Sequence, residues 1–233
     1  MRLLRHPQTI PHDLQSAVVN GATNWDSFKG KAAVRQSLDV LQQGLCAYCQ
    51  IRLDRNIGCH IEHVRPKHLH PALTFQWNNL VLSCTDAEHI KDAQQMGGVS
   101  CGHSSGKSQW LTYDARFISP TDLDCERYFE YRASDGSIQP AKDLSQPDVA
   151  RANYTIALLN LNCRRLCRER KDMLEEGYRI IAQLRSDTVS LRHFLDCEFA
   201  EIGGKLRAFF TSRQQHFLPF LLVSDSPKNA HLA

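Results

Sequence analysis

The stretch Ile61-Glu62-His63-Val64-Arg65-Pro66-Lys67 governs the reading of this chain, because it lies between two groups of cysteines. Upstream is Cys46-Ala47-Tyr48-Cys49. Downstream come Trp77-Asn78-Asn79-Leu80, then Cys84, then Cys101-Gly102-His103 with Lys107 one turn later. A Cys-x-x-Cys turn lets two sulfurs meet one Zn2+ at about 2.3 Å in tetrahedral geometry. Cys46, Cys49, Cys84 and Cys101 are therefore the best set for a structural zinc clip. The gap before Cys101 is long and irregular, so His89 remains a substitute for Cys84 or Cys101. Buried free thiols and a redox pair are the competing readings. Both lose ground because the cysteines bracket the Glu62-His63 segment on both sides.

Working outward, residues 59–64 read as a strand ending at Pro66, which lacks a donor and biases Arg65 away from helix. Residues 80–83 form a second short strand. The polar, Gly-containing run 86–99 reads as an inserted loop, and a short helix should start at His103 or Ser104. The order is that of a ββα unit, within a segment spanning 46–115. Before it, residues 1–30 read as an irregular arm. The helix that follows from Lys31 to Gln43 carries Val34, Leu38 and Leu41 at helical spacing and stops at Gly44. Residues 51–57 read as a short strand or hairpin arm. A mixed connecting region, 116–147, contains a hairpin turning at Ser134-Asp135-Gly136-Ser137. Residues 148–233 form a helical region, with apolar periodicity from Ala157 through Leu184 and another helix over about 190–199 closed by Gly203-Gly204. The expected class is α+β.

The formal net charge is only +3, which permits a nucleic-acid partner without arguing for one. There are 9 cysteines, an odd number, and the first residues are polar and basic, with no signal-peptide pattern. Reduced thiols in the cytoplasm are the expectation, with no disulfide framework and no membrane span. Cys59, Cys125, Cys163, Cys167 and Cys197 are left over and read as free thiols. Arg164, Arg165, Arg168, Arg170 and Lys171 lie on or near one helix, which reads equally as a solvated face or as a track for phosphates. The apolar run from Phe209 to Leu222 reads as core, with part of it available to a partner.

An acid–histidine dipeptide, an Asn before an apolar run and a further polar ligand are the parts of a one-metal phosphodiester-cutting site. A neutral imidazole with a pKa near 6.5 can take a proton from water, so His63 is the natural general base. A divalent ion, Mg2+ or Mn2+, would sit on Glu62 and His103, one carboxylate oxygen and one imidazole nitrogen. Neighbouring strand residues face opposite ways, so the strand must be ending at Glu62-His63 for both to serve one site. Asn79 would tether the loop after His63. Lys107, Arg65 and Lys67 would contact phosphate. The bland alternatives are a solvated acid–histidine pair, a turn-capping Asn and a solvated Lys. His60, His68 and His70 read as surface or loop histidines, and His89 rivals His103 as the third ligand.

Taken together, these motifs resemble the HNH, or ββα-metal, endonucleases that carry four zinc cysteines, and most closely the PtuB group of Septu-type and retron-associated antiphage systems. The match covers residues 46–107, and Asn160-Leu161-Asn162 with Leu166 and Arg170 is similar to the helical C-terminal part of that group. The resemblance implies an HNH core with an N-terminal arm and helix and a C-terminal helical region. It also implies a toxic nuclease effector cutting DNA, or structured RNA such as tRNA. Implied partners are a PtuA-like ABC/SMC-type ATPase and, in retrons, the reverse transcriptase with its RNA–DNA product. The chain carries no Walker-type phosphate loop. Two departures stand out: Glu62 occupies a place where Asp or His is commoner, and Cys101-Gly102-His103 replaces the usual Cys-Asn-x-x-Lys. A non-catalytic zinc-ribbon module is the alternative. A thiol redox protein fits poorly, because no thioredoxin-like βαβ pattern surrounds Cys46.

Overall fold

A computed structural model describes residues 1–54 and 57–224, and it is a mixed α+β structure with two small sheets. The site-bearing hairpin joins β1 (Cys59–His63) to β2 (Leu80–Cys84), antiparallel, with Cys59 opposite Cys84 and His63 opposite Leu80. Every residue of β2 is buried, because the strand is covered on both faces. One cover is α2 (Lys31–Gln42), preceded in the arm by α1 (His12–Val19). Val34 and Leu38 of α2 are fully buried, one turn apart on the inner face.

Gln42 ends α2 and is itself buried. Its side-chain amide donates to the carbonyls of Leu45 (2.7 Å) and Leu82 (2.9 Å) and accepts the Leu82 N–H at 2.6 Å. One side chain thus stitches the Cys46–Cys49 turn to β2. The turn closes through the Gln50 N–H to Cys46 O bond (3.0 Å), and Gln50 sits in the left-handed region at φ 62°.

After β2 come the short α3 (Ile90–Gln95), a 3-10 turn over Cys101–His103 and the one-turn α4 (Ser105–Ser108). Ser104 caps α4 by accepting the Lys107 N–H. A second hairpin pairs β3 (Phe129–Tyr131) with β4 (Ile138–Pro140). Four longer helices follow: α5 (Gln146–Leu158), α6 (Arg164–Leu184), α7 (Thr188–Phe199) and α8 (Phe210–Ser224).

Several sequence expectations need correction. The arm contains α1, and the inserted loop contains α3. The strand expected over 51–57 is reduced to a bridge between Leu45 and Arg52, with residues 55 and 56 outside the described set. The periodicity read from Ala157 to Leu184 is interrupted at Asn160, whose φ is 48°. That break has a use: the Leu159 carbonyl accepts the Cys101 N–H (2.8 Å), and the Asn160 side chain donates to Val99 O (2.9 Å). The helical region therefore grips the segment that carries the last cysteine. Arg170, fully buried, donates to the carbonyls of Gly136 and Leu161 and ties α6 to the second hairpin. α7 ends at Phe199, and Gly203-Gly204 form a separate turn bridged by Ile202 and Lys205. Among the described residues, no helix is long and apolar enough to cross a membrane.

Candidate active site

The four expected cysteines converge. Their sulfurs all lie within 4.8 Å of one another, with Cys46–Cys101 and Cys49–Cys84 each at 3.7 Å. A tetrahedron with arms of about 2.3 Å has edges of roughly 3.8 Å, whereas a disulfide needs about 2.05 Å. All four residues are buried, so the donor set fits a thiolate-bound metal ion and no disulfide. His89 is not part of this set; its Nδ1 lies 2.6 Å from Asp86 Oδ1 in the turn before α3.

Arg165 is only 1% exposed. Its guanidinium donates to Ser100 Oγ (3.2 Å) and pairs with Glu169 at 3.6 Å. Burial would lower its pKa, but the nearby Cys49 and Cys84 outweigh that and hold it above the ordinary value. Arg165 is therefore a buried charge held between Glu169 and the sulfur cluster. That corrects its assignment to nucleic-acid binding, since a buried guanidinium cannot meet a phosphate backbone.

β1 sorts its side chains by alternation. His60 and Glu62 share one face, with His60 Nε2 3.2 Å from Glu62 Oε2. The ring of His103 stands 4.2 Å from that of His60. Lys107 Nζ lies 2.9 Å from Glu62 Oε1, donates to the carbonyls of His63 and Val64 (3.2 Å each) and sits over the Trp110 ring. Burial alone would raise the pKa of Glu62. The Lys107 charge and the hydrogen bond and charge of His60 overcome it and bring the value down to about 2. Burial likewise lowers His60, but Glu62 more than compensates and its pKa is raised. His103 is lowered by burial and by the charge of His60.

Lys107 is 4% exposed, which corrects its expected role as a phosphate contact. Its ammonium is committed to Glu62 and to the end of β1. Lys107→Met is expected to leave Glu62 and two carbonyls short of a donor and to cost about 3 kcal/mol, because breaking a buried pair strands the remaining charge. Urea unfolding at pH 7 checks this.

His63 occupies the other face of the same strand end and is 8% exposed. The strand does end there, but both residues stay paired, Glu62 with Val81 and His63 with Leu80, so they do not turn to one side. His63 Nε2 lies 3.0 Å from the carbonyl of Thr74, and Trp25 meets the ring edge-on at 4.8 Å. A carbonyl only accepts, so Nε2 carries the proton and Nδ1 keeps its lone pair. Burial lowers the pKa of His63, partly offset by the Thr74 bond. Asn79 fastens the surrounding loop: Oδ1 accepts the Arg65 N–H (2.8 Å), and Nδ2 donates to the carbonyls of Arg65 and Leu73 (3.1 Å each).

Arg65 is exposed and stacks over Tyr113 at 4.8 Å, beside a cleft of about 270 Å3 that Asn78, Asn79 and Asp122 also line. Lys67 pairs with Asp26 at 2.7 Å, which fastens the arm beside Trp25. Arg164 and Arg168 are exposed on α6.

The chain is similar to a protein of Vibrio cholerae serotype O1 biovar El Tor named "Retron Vc95 putative HNH endonuclease", at 32% identity over 76% of this chain and 79% of the relative. The chain belongs to the retron HNH endonuclease family. It is also 34% identical over 71 residues to a protein of Bacillus thuringiensis named "Septu protein PtuB", covering 30% of this chain and 26% of that relative. No family model matches the chain.

In this HNH protein the structure gathers the four cysteines in one cluster, pairs Glu62 with Lys107 and sets the ring of His103 beside that of His60. His63 faces away from Glu62 at the strand end, Asn79 holds the loop that follows, and Arg65, Arg164 and Arg168 lie at the surface. The sequence reading missed His60. A period-two step back from Glu62 along the expected strand was the signal that pointed to it.

Proposed function

We propose that this HNH protein is a metal-dependent endonuclease that hydrolyses nucleic-acid phosphodiester bonds. The observation that carries the reading is His63, pinned through Nε2 to the Thr74 carbonyl so that Nδ1 is the free acceptor. His63 Nδ1 takes a proton from the attacking water. Asn79 keeps the imidazole aimed by holding the loop on both sides of it. Glu62 and His103 would hold a divalent cation, Mg2+ or Mn2+, which when bound would polarise the phosphoryl oxygen and neutralise the leaving oxygen. The carboxylate is ionised at any cellular pH and therefore fits such an ion. With base and carboxylate on opposite faces, the scissile phosphate must lie across the end of β1. β1, β2 and α4 form the ββα-metal core of a unit spanning 46–115, and Zn2+ on the four cysteines clamps it. Arg65 and Lys67 near the loop, and Arg164 and Arg168 on α6, contact the phosphate backbone.

The protein acts as the toxic effector of a cytoplasmic antiphage complex, with a PtuA-like ATPase and with the retron reverse transcriptase and its RNA–DNA product. The names of the two relatives support that setting. The test is incubation of the protein, purified with its genomic neighbours, with supercoiled plasmid and with tRNA. Cleavage that needs Mg2+ or Mn2+ and leaves 5′-phosphate ends is expected. Intact substrates under all conditions would overturn the reading.

Because the neutral imidazole is the active form and burial lowers its pKa, the rate should rise with pH and reach its plateau early. The acidic limb of kcat/KM should have its midpoint below the ordinary 6.5 of histidine. A midpoint above that value would count against His63 as the base.

One observation favours a non-catalytic binding module instead: Glu62 already has an ammonium partner in Lys107. Cleavage at an undiminished rate by His63→Ala would select that reading.

A further inference from the structure

We propose that His60 is a ligand of the active-site divalent cation, standing in for a side chain at position 102. The proposal rests on reading Glu62 as the metal-binding carboxylate. Three features of this chain support it.

His60 and Glu62 lie two residues apart on β1 and share a face, with Nε2 3.2 Å from Oε2. Adjacent ligands of an octahedral ion with arms of about 2.1 Å stand roughly 3.0 Å apart. The pair is spaced for one ion, and the Lys107 ammonium lies 2.9 Å from the other carboxylate oxygen, Oε1.

The second feature fixes the tautomer. His60 Nδ1 lies 2.6 Å from the Thr85 carbonyl, which can only accept. Nδ1 therefore carries the ring proton and Nε2 faces Glu62. A backbone carbonyl behind one imidazole nitrogen is the usual way to orient the other toward a metal. At 3.2 Å the gap between Nε2 and Oε2 accommodates a shared proton in the metal-free protein, and a cation that binds there displaces that proton.

The third is Gly102. A Cβ built there would fall 2.6 Å from His60 Nε2 and 2.8 Å from Glu62 Oε2, so position 102 abuts this pair directly. Its backbone cannot retreat, because the Gly102 N–H is held by Ser83 Oγ at 2.9 Å. The space that a side chain at 102 would fill is taken by the imidazole of His60. His103, the next residue, brings its ring to 4.2 Å from that imidazole.

The test uses the full-length protein with its cysteine site loaded with zinc, titrated with Mn2+ and followed by electron paramagnetic resonance. His60→Gln is expected to weaken Mn2+ binding by 10- to 100-fold with zinc content and near-ultraviolet dichroism unchanged. Gly102→Ala, which removes no donor, should weaken it in the same direction. This arm still decides if His60→Gln fails to fold. In a His103→Gln background, imidazole nitrogen modulation of the Mn2+ echo should persist, and it should vanish in the His60→Gln/His103→Gln double variant. Wild-type Mn2+ affinity in both His60→Gln and Gly102→Ala would overturn the proposal. If Glu62→Gln still weakens binding in that event, only His60 is removed and the underlying metal reading stands. If Glu62→Gln also has no effect, or if the wild-type protein binds no Mn2+, that reading falls as well.

Discussion

Cys49→Ser is expected to unfold the β1–β2 region rather than merely to slow a reaction. The four sulfurs come from three separate places: the turn at 46–49, the end of β2, and the 3-10 turn at 101. Backbone hydrogen bonds and a shared core also join them, but only an ion bound by the four sulfurs would tie all three to one point. The hairpin has two short strands and α4 is one turn long, while Gln42 and the Ala47 N–H to Leu82 O bond (3.0 Å) join turn and strand. A structural zinc contributes on the order of 10 kcal/mol in small zinc peptides, comparable with the total stability of a domain, about 5–15 kcal/mol. Loss of one thiolate also weakens the balance at Arg165, whose buried charge lies between Glu169 and the cluster. Zinc content and near-ultraviolet dichroism should fall together, and a chelator should reproduce the effect in the wild-type protein. Cys197→Ser, on a half-exposed thiol outside the cluster, should change stability by no more than about 0.5 kcal/mol. A Cys49→Ser protein with native dichroism and full zinc content would remove the clip from the account.

His63→Ala is expected to reduce phosphodiester cleavage by about 10²- to 10⁴-fold, the usual contribution of a positioned general base. Zinc content should stay unchanged. The substitution leaves the Thr74 carbonyl without its donor and a gap beside Trp25, so a stability loss of about 1–3 kcal/mol should accompany it. Rate and stability separate the two effects: activity must vanish at temperatures where the variant is fully folded. His68→Ala serves as the comparison, because His68 lies in the same loop and contacts only the Trp110 carbonyl at 3.2 Å among the hydrogen bonds described. Its activity should stay close to wild type. Equal losses in both variants would mean that the loop, and not the imidazole, had been disturbed.

The candidate site was legible where chemistry is written in spacing. Cys-x-x-Cys fixes two sulfurs within one turn. Pro66 places the end of a strand just beyond His63, and Asn79 precedes an apolar run that can only be a short strand. The charged residues were less legible. Arg165 lies in a basic run with Arg164 and Arg168, and sequence alone treats the three alike. Helical phase turns Arg165 inward, where Glu169 and the sulfur cluster face its charge. Lys107 follows the same logic against Glu62. His60 looked like a loop histidine because its partners, Thr85 and Gly102, are 25 and more residues away in the chain.

By itself the sequence determined the α+β class, the membership of the chain in an HNH family and the four cysteines that cluster. Those follow from local periodicity and from residue types that have few other uses. Only the tertiary structure decided which charges are buried in pairs, which way each side chain of β1 faces, and that the break at Asn160 grips the strand-to-helix segment near Cys101. Burying a charge or an imidazole is settled by what stands opposite it, and in this chain the opposing group comes from a distant segment.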